Sequence, residues 1–216
     1  GDPPDPMNLL GAQADFKYPT FAAYAQAVEQ AQPAVNVAAL VGHTTLRNQV
    51  MDDLQRTASE DEIAAMQTNL DLAMEQGALG LSSGLAYASA KQANANEVMQ
   101  LAKVLSGHGG IYTTHMRTEF EEILSAMEEA FETGQYAKVP VVISHLKCAG
   151  AGNWGRTVEV LDLMDKVSEH QDVSCDCYPY SASSSTLDLK QVTDDFDIFI
   201  TWSEAKPEHA GKTLKQ

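Results

Sequence analysis

The sequence predicts an α/β protein in which parallel strands alternate with helices that cover them. Short apolar segments and longer amphipathic segments alternate along most of the 216 residues, and the short segments are apolar on both faces, as buried parallel strands are. Polar residues follow these segments at the carboxyl ends, where (β/α)₈ barrels carry their functional groups. A doubly wound sheet also fits the alternation, but its dinucleotide-type glycine turn is missing. We therefore expect part of a barrel.

The first elements are a loop and a helix. Three prolines in the first six residues oppose regular structure, so we expect a loop there. An Ala-rich helix then follows Tyr18-Pro19-Thr20 and runs to about Gln32, with apolar residues at helical spacing. Pro33 ends it.

Five apolar segments are predicted as strands. They are Val35 to Val41, Ala78 to Ser83, Gly110 to His115, Val139 to His145 and Val173 to Tyr178. A closed barrel needs eight strands and typically ~250 residues, so five strands predict an incomplete barrel. A further apolar segment, Asp197 to Ser203, comes late and is followed by a short polar end.

Helices are predicted between these strands. The segment after Val41 is long enough for two, the second opened by a capping box at Ser59 to Glu62 and closed near Gly77. The other predicted helices are Gln92 to Leu105, Glu119 to Thr133 and Thr157 to His170, with Gly107 and Gly134 as C-caps.

Composition excludes several classes of partner. The formal charge of -16, from 30 acidic and 14 basic residues, opposes contact with nucleic acid or anionic lipid. We interpret the acidic stretch Glu119 to Glu132 as a solvated helix face. No apolar stretch approaches the ~20 residues that span a bilayer. Three cysteines, an odd number, fit a reduced cytoplasmic setting.

Two histidines are the strongest candidates for chemistry. His115 and His145 each close an apolar strand in successive strand-helix repeats. Neighbouring strands lie roughly 4.8 Å apart, and imidazole is the commonest zinc ligand. The pair therefore predicts a shared metal ion. His43 also ends a strand but has no matched partner, so we expect a structural role for it.

Other polar residues lie near the strand ends. Arg117 and Lys147 each follow a histidine by two residues, which suits an anionic substrate group, although solvated loop charges fit equally well. Tyr178 ends the last strand and is a site candidate. Cys175 and Cys177 form a Cys-x-Cys pair that we interpret as small buried residues rather than a zinc or redox site.

Seven motifs together resemble one known family. They are Phe21-Ala-Ala-Tyr24, Val41-Gly-His-Thr-Thr-Leu-Arg47, Gly80-Leu-Ser-Ser-Gly-Leu-Ala-Tyr87, Thr114-His-Met-Arg117, Ser144-His-Leu-Lys147, Cys175-Asp-Cys-Tyr-Pro-Tyr180 and Ile200-Thr-Trp-Ser203. This combination resembles the D-aminoacylases, or N-acyl-D-amino-acid deacylases, of the amidohydrolase superfamily, and the resemblance covers nearly the whole chain.

The resemblance implies a zinc-dependent hydrolase that cleaves N-acyl-D-amino acids to a carboxylate and a D-amino acid. His115 and His145 match metal ligands of the fifth and sixth barrel strands. Lys147 and Tyr178 match residues that bind the substrate carboxylate or the reacting carbonyl, and Ser184 assists them. By the same match, residues 1–190 form a partial barrel of about strands 3 to 7. Residues 191–216 begin an excursion toward a small domain.

The chain also departs from the family pattern. The family has a His-x-His on its first strand, a bridging cysteine on its second and a catalytic aspartate on its eighth, and none of these motifs occurs in this sequence. Two histidines make an open zinc site, because catalytic zinc commonly has three protein ligands. We therefore expect weak or absent zinc binding and deficient catalysis in these 216 residues, with the catalytic residue unassigned.

Two alternative functions remain open at this stage. One is a non-catalytic β/α module, derived from an amidohydrolase, whose exposed sheet edge a partner covers. The other is a related amidase that acts on a cyclic amide, which the combination of Lys147 and Tyr178 disfavours. The sequence predicts neither the preferred amino-acid side chain nor the oligomeric state.

Overall fold

The computed structural model describes residues 3–185 and 192–216 and shows one parallel sheet of five strands. The strands are β1 (Leu40–Gly42), β2 (Gly80–Gly84), β3 (Ile111–His115), β4 (Val141–Ile143) and β5 (Val173–Cys175). Their spatial order is their order in the chain. A doubly wound sheet reverses its strand order at a switch point, so this order confirms the predicted partial barrel.

Six helices are described, and consecutive ones from the second onward pack against each other. They are α1 (Phe21–Ala31), α2 (His43–Val50), α3 (Glu60–Glu75), α4 (Ala95–Leu105), α5 (Ile123–Ala137) and α6 (Thr157–Ser168). The two helices predicted between the first two strands are confirmed as α2 and α3. The chain thus winds in one direction, strand by strand, with a helix layer beside the sheet.

The strands are shorter than predicted. The segment before Leu40 is not a strand, and Val35 and Val37 are exposed there. The strand β4 ends at Ile143 rather than at His145, because His145 has a φ of 43°, in the left-handed region that an extended strand does not use. The predicted strand from Val173 to Tyr178 likewise stops at Cys175.

Helix ends show which local signals were reliable. The capping box is confirmed, since Ser59 Oγ accepts from Glu62 N at 3.2 Å and Ser59 N donates to Glu62 Oε2 at 2.8 Å. Gly77, with a φ of 98°, follows α3 as predicted. The prediction for Gly134 was wrong, because it lies inside α5 where a Cβ would overlap the side chain of Val141. It allows α5 to approach β4 closely.

A fully buried ionic group joins α2 to α4. Glu97 accepts a hydrogen bond from Arg47 and lies 2.8 Å from His43 Nε2, and all three side chains are inaccessible to solvent. Burial alone would raise the pKa of Glu97, but the hydrogen bonds from His43 and Arg47 outweigh it and lower that pKa. The structural role predicted for His43 is confirmed.

The last described segment, residues 192–216, has little regular structure. It holds one 3₁₀ turn, Pro207–His209, and an antiparallel bridge between Phe199 and Thr213. The predicted domain boundary at residues 190 and 191 lies outside the described residues, so the division remains a prediction. In the part of the chain that the structure describes, every helix is too short or too polar to cross a bilayer.

Candidate metal centre

The two candidate ligands meet at the carboxyl edge of the sheet. His115 is the last residue of β3, and His145 follows β4 by two residues. The Nδ1 atom of His115 lies 2.9 Å from the Nε2 atom of His145, and the two rings pack edge to face with centroids 4.6 Å apart. Adjacent parallel strands thus bring together two histidines that are 30 positions apart in the sequence.

Backbone contacts hold His145 in place. Ser144 N donates to Thr114 O at 3.0 Å, which extends the pairing of β3 with β4 by one residue. His145 N then donates to Asp176 Oδ1 at 2.6 Å, and Leu146 N donates to Asp176 O at 2.9 Å. Hydrogen bonds to β3 on one side and to Asp176, just after β5, on the other side therefore hold the left-handed turn at His145 in place.

Glu119 is a residue of this centre that sequence reasoning missed. Its side chain, predicted to lie on a solvated helix face, belongs to the loop before α5 and is only 8% exposed. Its Oε1 atom lies 2.9 Å from His145 Nδ1 and 2.6 Å from Lys147 Nζ. Burial would raise the pKa of Glu119, but these two contacts outweigh it and lower the pKa.

Three side chains of the centre form a group that can hold a metal ion. One ligand atom from each of His115, Glu119 and His145 lies within 4.8 Å of the others. Imidazole nitrogen and carboxylate oxygen are the donors that zinc takes in catalytic sites. The two histidine nitrogens therefore fit zinc, with the carboxylate of Glu119 beside them.

Lys147 reaches the same centre through contacts of its ammonium group with Glu119 and His145. Its Nζ lies 2.6 Å from Glu119 Oε1, 3.1 Å from His145 Nδ1 and 3.1 Å from His145 O. It also lies 5.5 Å from the centre of the Tyr178 ring. This ammonium group is held by the protein beside the histidine pair.

An open cleft of about 1420 Å³ gives access to the centre. His115, His145 and Lys147 line it together with Tyr178 and Ser184, so the structure brings all five predicted site residues to one cavity. The Tyr178 hydroxyl is buried and has no hydrogen-bond partner among the described residues. A buried hydroxyl of this kind is suited to bind a ligand that enters the cleft.

Tyr87 is a second neighbour that the sequence reasoning left without a role. Its ring packs against His115 with centroids 4.9 Å apart, and it lines the same cleft. It follows β2, the strand next to β3. Tyr87 ends the motif that begins at Gly80, but no spacing rule connects it to His115.

Arg117 lines the cleft, but its guanidinium group is already paired within the protein. It is half-buried and donates to both carboxylate oxygens of Glu129 on α5, at 2.9 and 2.7 Å, and to the carbonyls of Lys91 and Ala93. The two-residue alternation fails for Arg117 because β3 ends at His115. The side chain instead ties the strand end to α5.

The Cys-x-Cys pair is also placed differently from the prediction. Cys175 and Cys177 were expected to be small buried residues, but both are exposed free thiols. The strand β5 lies at the end of the described sheet and pairs on one side only with β4. That position leaves the cysteines uncovered.

Burial lowers the pKa of His115 to about 4. Desolvation disfavours the imidazolium form, and the neighbouring His145 and Lys147 oppose it further, while Glu119 offsets part of the effect. At neutral pH the ring is therefore uncharged, which is the form that binds a metal.

We expect the metal-free protein to lose stability as the pH falls from about 6.5 to about 4. The unfolded chain takes up a proton at the ordinary imidazole pKa of about 6.5, before the folded chain does, so acid favours unfolding in this window. An NMR titration of His115 and denaturant unfolding across this range test this. His115→Gln should remove this pH-dependent loss of stability. A titration midpoint of His115 near the ordinary value of about 6.5 would contradict the expectation.

Comparison with known proteins finds relatives of the chain among hydrolases. The model of the amidohydrolase family matches residues 1–199. A D-aminoacylase of Alcaligenes xylosoxydans xylosoxydans is 44% identical over 215 residues, which is 100% of this chain and 44% of that protein. A crystal structure of D-aminoacylase superposes with a TM-score of 0.94 at 44% identity, over 99% of this chain and 45% of that one.

A second solved relative carries a metal and an inhibitor. The N-acyl-D-glutamate deacylase of Bordetella bronchiseptica, complexed with zinc and a phosphonate that mimics the tetrahedral intermediate, superposes with a TM-score of 0.86 at 38% identity. The match covers 91% of this chain and 42% of that chain. The chain thus spans less than half the length of these relatives. The resemblance deduced from the motifs is confirmed.

Proposed function

Because the chain belongs to the amidohydrolase family, we propose that the whole protein, the product of the reading frame that encodes it, is a zinc-dependent hydrolase of N-acyl-D-amino acids. It cleaves the amide to a carboxylate and a free D-amino acid. The observation that carries the proposal is the cleft in which His115, His145 and Lys147 converge. Relatives with D-aminoacylase and D-glutamate deacylase activity support it.

His115 and His145 are the residues that would hold the zinc. Their facing nitrogens lie 2.9 Å apart at the open edge of the sheet, and His115 is neutral at the working pH because burial lowers its pKa. When bound, zinc polarises a carbonyl group and lowers the pKa of a bound water. The two histidines and the cleft wall set where such a carbonyl can lie.

Lys147, Tyr178 and Ser184 bind the acyl amino acid in this proposal. A partly buried ammonium group that lines the cleft favours binding of a substrate that carries a carboxylate over binding of a neutral amide. Because Lys147 Nζ already donates to Glu119 Oε1 and His145 O, the substrate carboxylate replaces the contact with His145 O. The unpartnered hydroxyl of Tyr178 supplies a donor that needs no such exchange.

The group that moves the proton during hydrolysis is unassigned in these 216 residues. The sequence contains no His-x-His motif, and the chain supplies two histidine ligands where catalytic zinc commonly has three protein ligands. We therefore propose that the isolated chain binds zinc weakly and hydrolyses its substrate poorly. The complete centre needs further residues of the whole protein.

The direct test is hydrolysis of matched enantiomers by the whole protein. We expect it to release amino acid from N-acetyl-D-amino acids and not from the L-enantiomers, and to lose this activity when a chelator removes the metal. Restored activity on adding zinc completes the test. Equal rates for both enantiomers, or full activity in the chelated protein, would contradict the proposed function.

A neutral analogue separates the role of Lys147 from that of the metal. Because Lys147 recognises the carboxylate, Lys147→Gln is expected to raise KM for the acyl amino acid by roughly 10-fold or more, the loss of one charge-assisted hydrogen bond. The corresponding amino-acid amide, which lacks the carboxylate, should show no such change. A rise in KM that is equal for both substrates would count against this role.

We also propose a reducing, cytoplasmic setting for the protein. All three cysteines are free in the structure, and two of them are exposed. Exposed thiols persist in compartments where glutathione and thioredoxin keep them reduced.

A further inference from the structure

Glu119 contacts the Nδ1 edge of the His145 ring, whereas His115 contacts its Nε2 edge. A single oxygen of its carboxylate, Oε1, lies 2.9 Å from Nδ1 of His145 and 2.6 Å from Nζ of Lys147. The other ring nitrogen of His145, Nε2, lies 2.9 Å from Nδ1 of His115. The two nitrogens of one imidazole therefore face different surroundings, with the carboxylate at one edge and the second histidine at the other.

This division decides which nitrogen of His145 is available to an ion. A neutral imidazole carries hydrogen on one nitrogen and a lone pair on the other, and the partner of the first nitrogen decides which one binds metal. A ring that binds metal through Nε2 carries its hydrogen on Nδ1 and needs an acceptor there. Lys147 also lies near Nδ1, but an ammonium group cannot accept a hydrogen bond. Glu119 Oε1 is the acceptor at that edge.

The geometry points to Glu119 as a positioning residue. It occupies the Nδ1 edge of His145 and so leaves Nε2 as the metal-binding nitrogen, while the same oxygen holds Lys147 beside the centre. This role deepens the proposed function and rests on it, because it requires His145 to be a ligand. Residues that orient metal-bound histidines in this way commonly contribute a factor of roughly 10 to 100 in metal affinity.

The positioning role of Glu119 explains why its carboxylate is buried. A carboxylate that is 8% exposed is costly to bury unless it is paired and hydrogen-bonded. Lys147 satisfies its charge, and both groups then lie against the same imidazole.

Two substitutions of Glu119 distinguish the effect of losing its hydrogen-bond acceptor from the effect of losing its side-chain packing. In the whole protein, Glu119→Ala removes the acceptor and is expected to weaken zinc binding by about 10- to 100-fold in a competition titration. Glu119→Gln keeps an amide oxygen that accepts from Nδ1 and should restore most of the affinity. Glu122→Ala removes an exposed carboxylate from the wall of the same cleft and should leave the affinity unchanged.

The position of the imidazole hydrogen of His145 is a second measurement. A change in side-chain packing alone would not alter it. With ¹⁵N-labelled histidine and bound zinc, we expect the His145 signal, identified by its loss in His145→Ala, to show hydrogen on Nδ1. Hydrogen on Nε2, or wild-type zinc affinity in Glu119→Ala, would overturn the inference about Glu119 alone. Absence of zinc binding to the unsubstituted protein would instead overturn the proposed metal centre, and the inference with it.

Discussion

Replacing either His115 or His145 with alanine is expected to lower the zinc affinity of the whole protein by more than about 100-fold. Outer groups that only orient a ligand contribute roughly 10- to 100-fold, so loss of the ligand itself should exceed that range. Because the two nitrogens face each other at 2.9 Å, both are placed to bind one ion, and we expect a large loss in each variant. Metal analysis after dialysis and a competition titration measure both.

His108 offers a matched control for these substitutions. It lies beyond the end of α4, where its Nε2 contacts Asp71 at 2.7 Å, and it does not line the cleft. His108→Ala should therefore retain the zinc content of the unsubstituted protein. Equal zinc content in His108→Ala, His115→Ala and His145→Ala would refute the assignment of the two ligands.

Replacing Glu97 with alanine is expected to destabilise the fold by roughly 3–5 kcal/mol, because it leaves Arg47 charged and unpaired in the interior. Glu97, Arg47 and His43 are all inaccessible to solvent, and Glu97 also accepts from the backbone N–H of Ala58 at 3.3 Å. A domain of this kind has a total stability of about 5–15 kcal/mol. The variant should therefore unfold at a clearly lower denaturant concentration.

The control for Glu97 is an ion pair at the surface. Asp52 lies 2.6 Å from Arg56, but its side chain is 88% exposed, and exposed pairs typically contribute about 0–1 kcal/mol. Asp52→Ala should shift the denaturant midpoint only slightly. Equal shifts for the two variants would show that the buried group around Glu97 does not hold α2 and α4 together.

The fold was predictable because its signals are local. The alternation of apolar strands and amphipathic helices predicted the parallel sheet, and the capping box at Ser59 marked the start of α3 correctly. The strand ends were less predictable. Val35 continues the apolar pattern but is 72% exposed, because a strand also needs a neighbour that provides hydrogen bonds, and no sequence pattern reports that neighbour.

Only the part of the candidate site that follows from the topology of the sheet was predictable from the sequence. His115 and His145 came together because adjacent parallel strands end at one edge, a consequence of topology. Glu119 was hidden in a run of acidic residues, most of which are solvated as their pattern suggests. Its burial depends on where α5 begins, four residues later at Ile123, and on the ammonium group of Lys147 from the next repeat. Neither is visible in the local sequence.

Arg117 and Lys147 also show that sequence spacing does not predict the direction of a side chain beyond the end of a strand. Both follow a histidine by two residues and both line the cleft, yet Lys147 contacts Glu119 and His145 while Arg117 pairs with Glu129. The chain leaves the strand geometry at His115 and at His145, so a period of two no longer predicts the direction of the next side chains. Only the course of each loop distinguishes the two cations.

The most direct test of the account is to locate zinc in a crystal of the whole protein by anomalous diffraction at the zinc edge. We expect an anomalous peak at the carboxyl edge of the sheet, within an ordinary zinc–nitrogen bond length of about 2.1 Å from both His115 Nδ1 and His145 Nε2. A peak elsewhere, for example at Cys175 and Cys177, or no peak in zinc-loaded crystals would contradict it.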